Sequence, residues 1–418
     1  MKTTVTKVVG YVLTCMLLLG TIPAEARKDD RYISVSGVVK DKQTKKILEA
    51  VNISVPGTSI GTVTNAEGFF TIKVTDSIHA RSLEVSYLGY LSEIIPLVGK
   101  DVEGVTVLLT PNVSSLPEVV IRAMDPALLV RQALEKVAVN NPNKPHLLMG
   151  FYRETIQKRR SYINVTEAVI NIYKTAYTED VTHDKVQVYK GRQLVSPKRG
   201  DTLLVKLQGG PNYAIFMDVV KNKEIFLDEQ SFRDYKFRMN GSVMLNDRSN
   251  YVVSFEPNLV QPYPLFYGKL YIDEQTLTFT QAEFNYNMKD RNKITNMILR
   301  RKPHNLRFKP EELTYLVTYR QEDGVTYLNY IRNEIRFKCD WSRRLFSTTY
   351  TVLSEMVVTD KTLKEVKPIH YRDAFKFRSI LSDRVNSFYD EDFWEGYNII
   401  APTELLESAV SKLMKKYK

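Results

Sequence analysis

Thr314-Tyr315-Leu316-Val317-Thr318-Tyr319-Arg320, then Asp323-Gly324, then Val325 through Cys339, is the stretch that decides the fold of most of this chain. Apolar and polar residues alternate on both sides of the Asp-Gly pair. That pair readily takes the positive φ angles a tight hairpin needs, so the stretch reads as two long antiparallel strands. The same alternation extends outward. Upstream, Gly268 to Ile272, a turn at Asp273-Glu274-Gln275, and Leu277 to Tyr286 form a second hairpin. Earlier runs are Phe151 to Ile156, Tyr162 to Tyr173, Val186 to Tyr189, and Tyr251 to Phe255 after a polar turn at 246–250. Downstream, Phe346 to Val358 is a final long strand.

Two helices flank these strands. Asp125-Pro126 gives an N-cap with Pro at the first helical position, and Leu129, Ala133, Val137 and Val130, Leu134 fall at i, i+4 spacing. Asn140-Asn141-Pro142-Asn143 stops that helix. Pro402-Thr403-Glu404 opens a terminal helix with Leu406, Val410, Leu413 and Met414 on one face. Its acidic start and basic end (Glu404, Glu407; Lys412, Lys415, Lys416) suit the helix dipole.

The segment before residue 110 has its own character. Ile33 to Val39, Val51 to Val55, Thr62 to Thr64, Phe69 to Val74, Leu83 to Tyr87 and Val105 to Leu109 are short strands at the regular spacing of a β-sandwich. Asn65-Ala66-Glu67-Gly68 reads as a hairpin turn in which Asn65 and Gly68 take positive φ. The composition agrees: of 418 residues, 43% are hydrophobic and 26% charged, with 25 Tyr and 18 Phe. Such a mix favours strands and excludes a collagen, a coiled coil, a disordered chain and a polytopic membrane protein.

Gly37-Val38-Val39-Lys40-Asp41, Ala50 to Val55, Gly57-Thr58, Gly61 to Asn65 and Gly68 to Ile72 together resemble the carboxypeptidase-regulatory-like domain. Tyr87-Leu88-Gly89-Tyr90 and Leu116 to Ile121 extend the likeness over residues 33–121. The resemblance implies a transthyretin-like sandwich in an envelope protein of a Gram-negative bacterium. Gly150 to Glu154, Gly268 to Asp273 and Phe393 to Ile400 resemble an envelope-protein family without assigned chemistry. The order of strands also looks like the half-barrels of lipoprotein carriers. The expected architecture is therefore mainly β. A sandwich over 27–110 and a linker over 111–124 precede a helix plus a large antiparallel β domain (a half-barrel is one form it can take) over 125–418, with the two parts separable. Too few residues remain for a receptor plug and 22-stranded barrel.

The first 26 residues read as an export signal. Lys2 and Lys7 precede an apolar run from Val8 to Ile22, and Pro23 breaks it. Ala24-Glu25-Ala26 then presents the small-x-small pattern of a cleavage site before Arg27. Val12-Leu13-Thr14 is a poor lipobox for Cys15. Cleavage leaves 392 residues with formal charge +10, since Lys2, Lys7 and Glu25 leave from a total of +11. No later segment is long and apolar enough to cross a bilayer.

Chemistry is sparse. The five histidines (His79, His146, His183, His304, His370) are scattered, with no metallopeptidase spacing. No Gly-x-Ser-x-Gly occurs, and Gly209-Gly210-Pro211 lacks the Lys and the following helix that a phosphate loop needs. Cys339 alternates with Ile335 and Phe337, as a buried small hydrophobe does. No cofactor and no metal are implied, and a hydrolase ranks last. Asp390 and Asp392 beside Trp394 and Tyr397 form a speculative ligand surface, although these aromatics more often pin a terminal segment to a sheet. Basic clusters such as Lys158-Arg159-Arg160 sit at turns. In an exported protein they point to anionic lipid or glycolipid, or to other envelope proteins, rather than to nucleic acid. The sequence favours a non-enzymatic binding or scaffold module, with a carrier of an apolar or lipid ligand as the alternative.

Overall fold

The computed structural model describes residues 31–112, 125–198, 201, 203, 205–207, 209–342, 346–385, 393–394 and 396–414. The mainly β architecture expected from the sequence is the one observed. The first unit contains β1 (Tyr32–Asp41), β2 (Asn52–Ser54), β3 (Gly61–Val63), β4 (Phe69–Thr75), β5 (Ser82–Ser86), β6 (Glu93–Pro96) and β7 (Val102–Leu109). Its two sheets have strand orders β4-β1-β7 and β3-β2-β5-β6, with β1 and β7 parallel. Alternation sends Val35 and Val39 of β1 and Phe70, Ile72 and Val74 of β4 inward, where they meet Ile53, Leu83 and Val85 of the facing sheet. Strand β6, half-exposed and ending in Pro96, has no counterpart in the sequence reading.

The second unit comprises α1 (Pro126–Asn140), β8 (His146–Lys158), β9 (Ser161–Lys174), β10 (Lys185–Val195), β11 (Lys206–Leu207), α2 (Pro211–Phe216), α3 (Glu229–Phe232), β12 (Tyr235–Leu245), β13 (Arg248–Pro257), β14 (Phe266–Asp273), β15 (Phe279–Tyr286), α4 (Arg291–Ile298), β16 (Leu299–Arg301), β17 (Leu306–Glu322), β18 (Val325–Trp341), β19 (Thr348–Thr362) and α5 (Glu404–Met414). Ten of these strands make one antiparallel sheet in the order β10-β9-β8-β19-β18-β17-β15-β14-β13-β12. The sheet does not close, so β10 and β12 remain edges. Asp323 (φ 49°) and Gly324 (φ 79°) turn β17 into β18 as the sequence demands. Asn246 and Asp247 (φ 49° and 57°) turn β12 into β13, which is a tighter turn than the five-residue one expected. Leu277 is not the start of a strand: its φ of 57° belongs to the turn, and β15 begins at Phe279. At Gly268 a Cβ would lie 2.0 Å from the Glu283 carbonyl oxygen, so only glycine lets β14 and β15 approach this closely.

The sheet is apolar on both faces. The inner face carries Leu313, Val317, Ile331, Ile335, Phe337, Met356 and Tyr152, packed against Leu129, Val130, Ala133 and Val137 of α1, Ile215 of α2, Phe232 of α3 and Ile294 of α4. Phe226, Phe255, Phe284, Phe266 and Tyr315 form an aromatic run here, with Phe284 and Tyr315 stacked at 4.9 Å. Cys339 belongs to the same face, and burial pushes its thiol up to about 12. The outer face carries Phe151, Val169, Tyr330 and Val357, which pack with Val63 of the sandwich and with Phe393, Trp394 and Ile400 of the terminal segment.

The terminal segment is a strap between the two units. Arg153 donates from Nη2 to the Ile400 carbonyl at 2.7 Å, while its Nε pairs with Glu167 at 2.7 Å. Arg192 pairs with the other Glu167 oxygen at 2.9 Å. Burial would raise the Glu167 carboxyl, but the two guanidiniums outweigh it and hold it below the ordinary range. From the sandwich side, Thr62 donates to the Ile399 carbonyl at 2.9 Å. The Asn398 amide accepts from Lys73 N at 2.7 Å and donates to Lys73 O at 3.0 Å. The units also touch directly, with Arg320 donating to Ser59 O at 2.6 Å and Gly89 N donating to Met244 O at 2.7 Å. The two units are thus in contact, and each leaves apolar surface that the other or the strap covers.

Asn65 shows how closely. Only Gly68 takes positive φ in its turn (70°). Asn65 Oδ1 accepts from Glu67 N and Phe69 N, and Nδ2 donates to the carbonyls of Ala401 (3.2 Å) and Pro402 (2.9 Å). An aspartate would face those carbonyls with oxygen. We predict that Asn65→Asp, nearly isosteric, lowers unfolding free energy by about 1–3 kcal/mol through the stranded acceptors. Urea denaturation measures it, and an unchanged midpoint would mean the strap does not depend on this side chain.

Candidate functional site

The inner face is not filled everywhere. Strand register sets Glu154 of β8 opposite Ser354 of β19, and Ser354 opposite Asn333 of β18. These three side chains form a polar row across three strands, flanked by Tyr152 and Met356 on one side and Ile156, Val352 and Ile335 on the other. Above this row lies a cavity of about 420 Å³. Its floor is the polar row; its walls are Ile156, Ile163, Val195, Val352 and Ile335; its cover is Leu203, Val205, the β11–β16 ladder with Leu207 and Arg300, and the loop 379–383. Apolar walls with a few convergent polar groups, in this size range, are the ordinary composition of a small-molecule site.

The floor is rich in acceptors. Glu154 accepts from the Tyr152 hydroxyl at 3.0 Å and from the Gly210 amide, while burial raises its pKa above the ordinary carboxylate range. Asn333 is 4% exposed, and its Oδ1 has no hydrogen-bond partner among the described residues. A ligand bearing N–H or O–H groups would satisfy these oxygens, and its apolar part would lie along the walls. Gly210 (φ 90°) leads into α2, where Pro211 is the first helical residue.

A second polar cluster lies at the opposite end of the sheet. Lys174 contacts Asp218 at 3.0 Å and Asp184 at 3.1 Å, and Lys221 pairs with Asp184 and donates to Thr175 O at 2.9 Å. Tyr177 and Tyr319 donate to Asp218 at 2.9 and 2.8 Å. Two lysines balance two aspartates and every charge is hydrogen-bonded, so the cluster is a structural clamp. Beside it His146 is held down to about 4, first by burial and then by Lys174.

Neither cluster was singled out by sequence. Glu154 continues the parity of Tyr152, and Lys174 that of Ile170 and Ile172; charged residues at core parity were the available signal. Of the residues that were singled out, Trp394 is 5% exposed, edge-on to Phe151 at 5.3 Å and under the Arg192 guanidinium at 4.9 Å. Tyr397 lies 6.0 Å from Tyr189 and donates its amide to Trp394 O at 2.8 Å. Both belong to the strap, away from the cavity. Asp390 and Asp392, the cleavage residues Ala24, Ala26 and Arg27, and most of the linker lie outside the described residues. Among the described residues no three His, Cys, Asp or Glu side chains gather as a metal-holding group.

Residues 35–121 match the CarboxypepD_reg-like domain family. The N-terminal sandwich is a CarboxypepD_reg-like domain. No curated relative matches the chain. Among solved structures, a putative outer membrane lipoprotein-sorting protein domain from Vibrio parahaemolyticus aligns at 9% identity over 60% of this chain and 96% of its own, with a TM-score of 0.25. A LolA superfamily protein from Nitrosomonas europaea aligns at 11% identity over 57% and 94%, with a TM-score of 0.21. A putative membrane-associated protein of unknown function from Bacteroides fragilis aligns at 10% identity over 79% and 98%, with a TM-score of 0.16. Superpositions this loose carry no argument about the sheet that follows the CarboxypepD_reg-like domain.

The raised Glu154 carboxyl yields a test with a definite sign. A carboxyl whose pKa is higher in the folded state binds its proton more tightly there. Its ionised form therefore costs stability above the unfolded pKa, and the cost disappears as pH falls through the carboxylate range. Glu154→Gln is expected to melt at a higher temperature than the parent at neutral pH, with the difference shrinking as pH drops through that range. Thermal unfolding as a function of pH reads it; a difference that grows on acidification has the wrong sign.

Proposed function

We propose that this protein is an exported, non-enzymatic carrier that shelters a small amphipathic molecule on the inner face of its ten-stranded sheet. The observation that supports this reading is the cavity of about 420 Å³ between apolar walls and the acceptor floor of Glu154, Ser354 and Asn333. A packed core leaves few voids larger than a water molecule, so an unfilled space of this size beside an unpartnered buried oxygen is an argument for a ligand. The N-terminal signal pattern supports export, and no helix among the described residues is long and apolar enough to cross a membrane. A scaffold role is the second reading. Strand β6 is an edge strand, and Leu91, Ile94 and Val98 around it are exposed, which suits strand addition by a protein partner.

Filling the cavity tests the carrier. Val352→Trp puts an indole into the space without touching the outer face. Native mass spectrometry of the parent protein, purified from its host, is expected to show an adduct of lipid-like mass, and Val352→Trp to lack it while keeping the parent's circular dichroism. A clean unliganded mass from repeated preparations of the parent would remove this reading.

A further inference from the structure

The two most exposed large apolar side chains among the described residues are Val260 (92%) and Phe346 (79%). Register places them at one end of the sheet. The row Phe266–Tyr286 in β14 and β15 continues through Leu313, Ile335 and Val352 to Ile156, which lines the cavity. The loop 258–265 precedes Phe266, and Phe346 precedes β19, so both lie beyond this row, at the end of the sheet where the cavity is. Leu259 (52%) and Met297 (51%) add to the surface.

The loop is built to project. Asn258 N donates to Asp234 O at 2.7 Å, and Gln261 and Tyr263 donate to the Asp234 carboxylate at 2.6 and 3.0 Å. Lys293 donates to Gln261 O at 2.8 Å. These bonds fix the backbone on both sides of Leu259-Val260 and leave the two side chains in solvent, an arrangement with no benefit to the isolated fold. The surroundings are basic. Arg233, Lys236, Arg238, Lys289, Arg291 and Lys293 stand beside four acids, Asp228, Asp234, Glu256 and Asp290, and Asp228 is taken up in capping α3. Glu256 pairs with Arg238 and Asp290 with Lys293, while Asp234 is buried. Arg233, Lys236, Lys289 and Arg291 remain exposed.

We propose that this end of the sheet docks on an anionic lipid surface, with Leu259, Val260 and Phe346 entering the interface and the four exposed basic side chains meeting lipid phosphates. A projecting apolar tip with a basic surround is the pattern of peripheral membrane attachment. The proposal goes beyond the carrier reading and stands whatever the cavity holds.

The test uses protein beginning at Arg27, so that the apolar run Val8 to Ile22 cannot itself bind lipid. Flotation with phosphatidylcholine vesicles is compared with flotation on vesicles that also contain phosphatidylglycerol. Retention on the anionic vesicles, falling as salt rises, is expected for the parent. Either double variant, Val260→Glu with Phe346→Glu or Lys289→Glu with Arg291→Glu, should weaken partitioning about ten-fold or more at an unchanged melting temperature. Val98→Glu, on the sandwich, should bind like the parent. Absence of parent binding to anionic vesicles, or undiminished binding by both double variants, overturns the proposal. So does a parent dimer on size exclusion that Val260→Glu dissociates, since the tip would then join copies of the chain.

Discussion

A guanidinium buried against a sheet has to find enough oxygen, and Arg153 finds it in two places at once. One side chain donates both to Glu167 on the neighbouring strand and to the carbonyl of Ile400, far along the chain. A buried charge robbed of either partner would be expensive. The terminal strap is therefore part of the sheet's electrostatic balance, and everything the strap covers follows from it: Trp394 lies over Phe151, Ile400 closes the outer apolar face, and the sandwich is held through Thr62, Asn65 and Asn398. The CarboxypepD_reg-like domain and the large sheet both pack against this segment, and it covers apolar surface on each.

With the outer face occupied in that way, the open space lies on the inner face. Its aromatic half, from β13 to β17, is densely packed around Phe226. Its other half, over β8, β18 and β19, exchanges large apolar residues for Glu154, Ser354 and Asn333 and leaves space above them. The contrast within a single sheet is informative: the same fold can fill its interior with rings and does not do so here.

Much of this was legible in the sequence, and the exceptions have physical reasons. The long strands β8, β9, β17, β18 and β19 follow from period-two alternation, and the β17–β18 turn follows from Asp323-Gly324. Helix α1 announces itself through Asp125-Pro126 and its i, i+4 apolar residues. Helices α2, α3 and α4 are six, four and eight residues long, too short for a period of 3.6 to emerge. The first of them opens at Pro211 of Gly209-Gly210-Pro211, where the sequence reading expects no helix. Glu154 and Lys174 break the apolar parity of their strands, which flags them. Their partners come from distant strands, so a single sequence shows the anomaly without its resolution. Asn65 is legible as a turn residue and does hold the turn through Oδ1; that its Nδ2 also donates to the Ala401 and Pro402 carbonyls is not legible, because those lie more than 330 residues away.

That last arrangement bears on how the polypeptide is made. Strands at residues 52–75 appear early in synthesis, yet the groups that complete their surface lie at 398–402, between 325 and 337 residues further along the chain. Pairings so far apart in sequence form slowly and only after the intervening chain is available. The sandwich surface around Thr62, Asn65 and Lys73 therefore stays incomplete until residues 398–402 have been made.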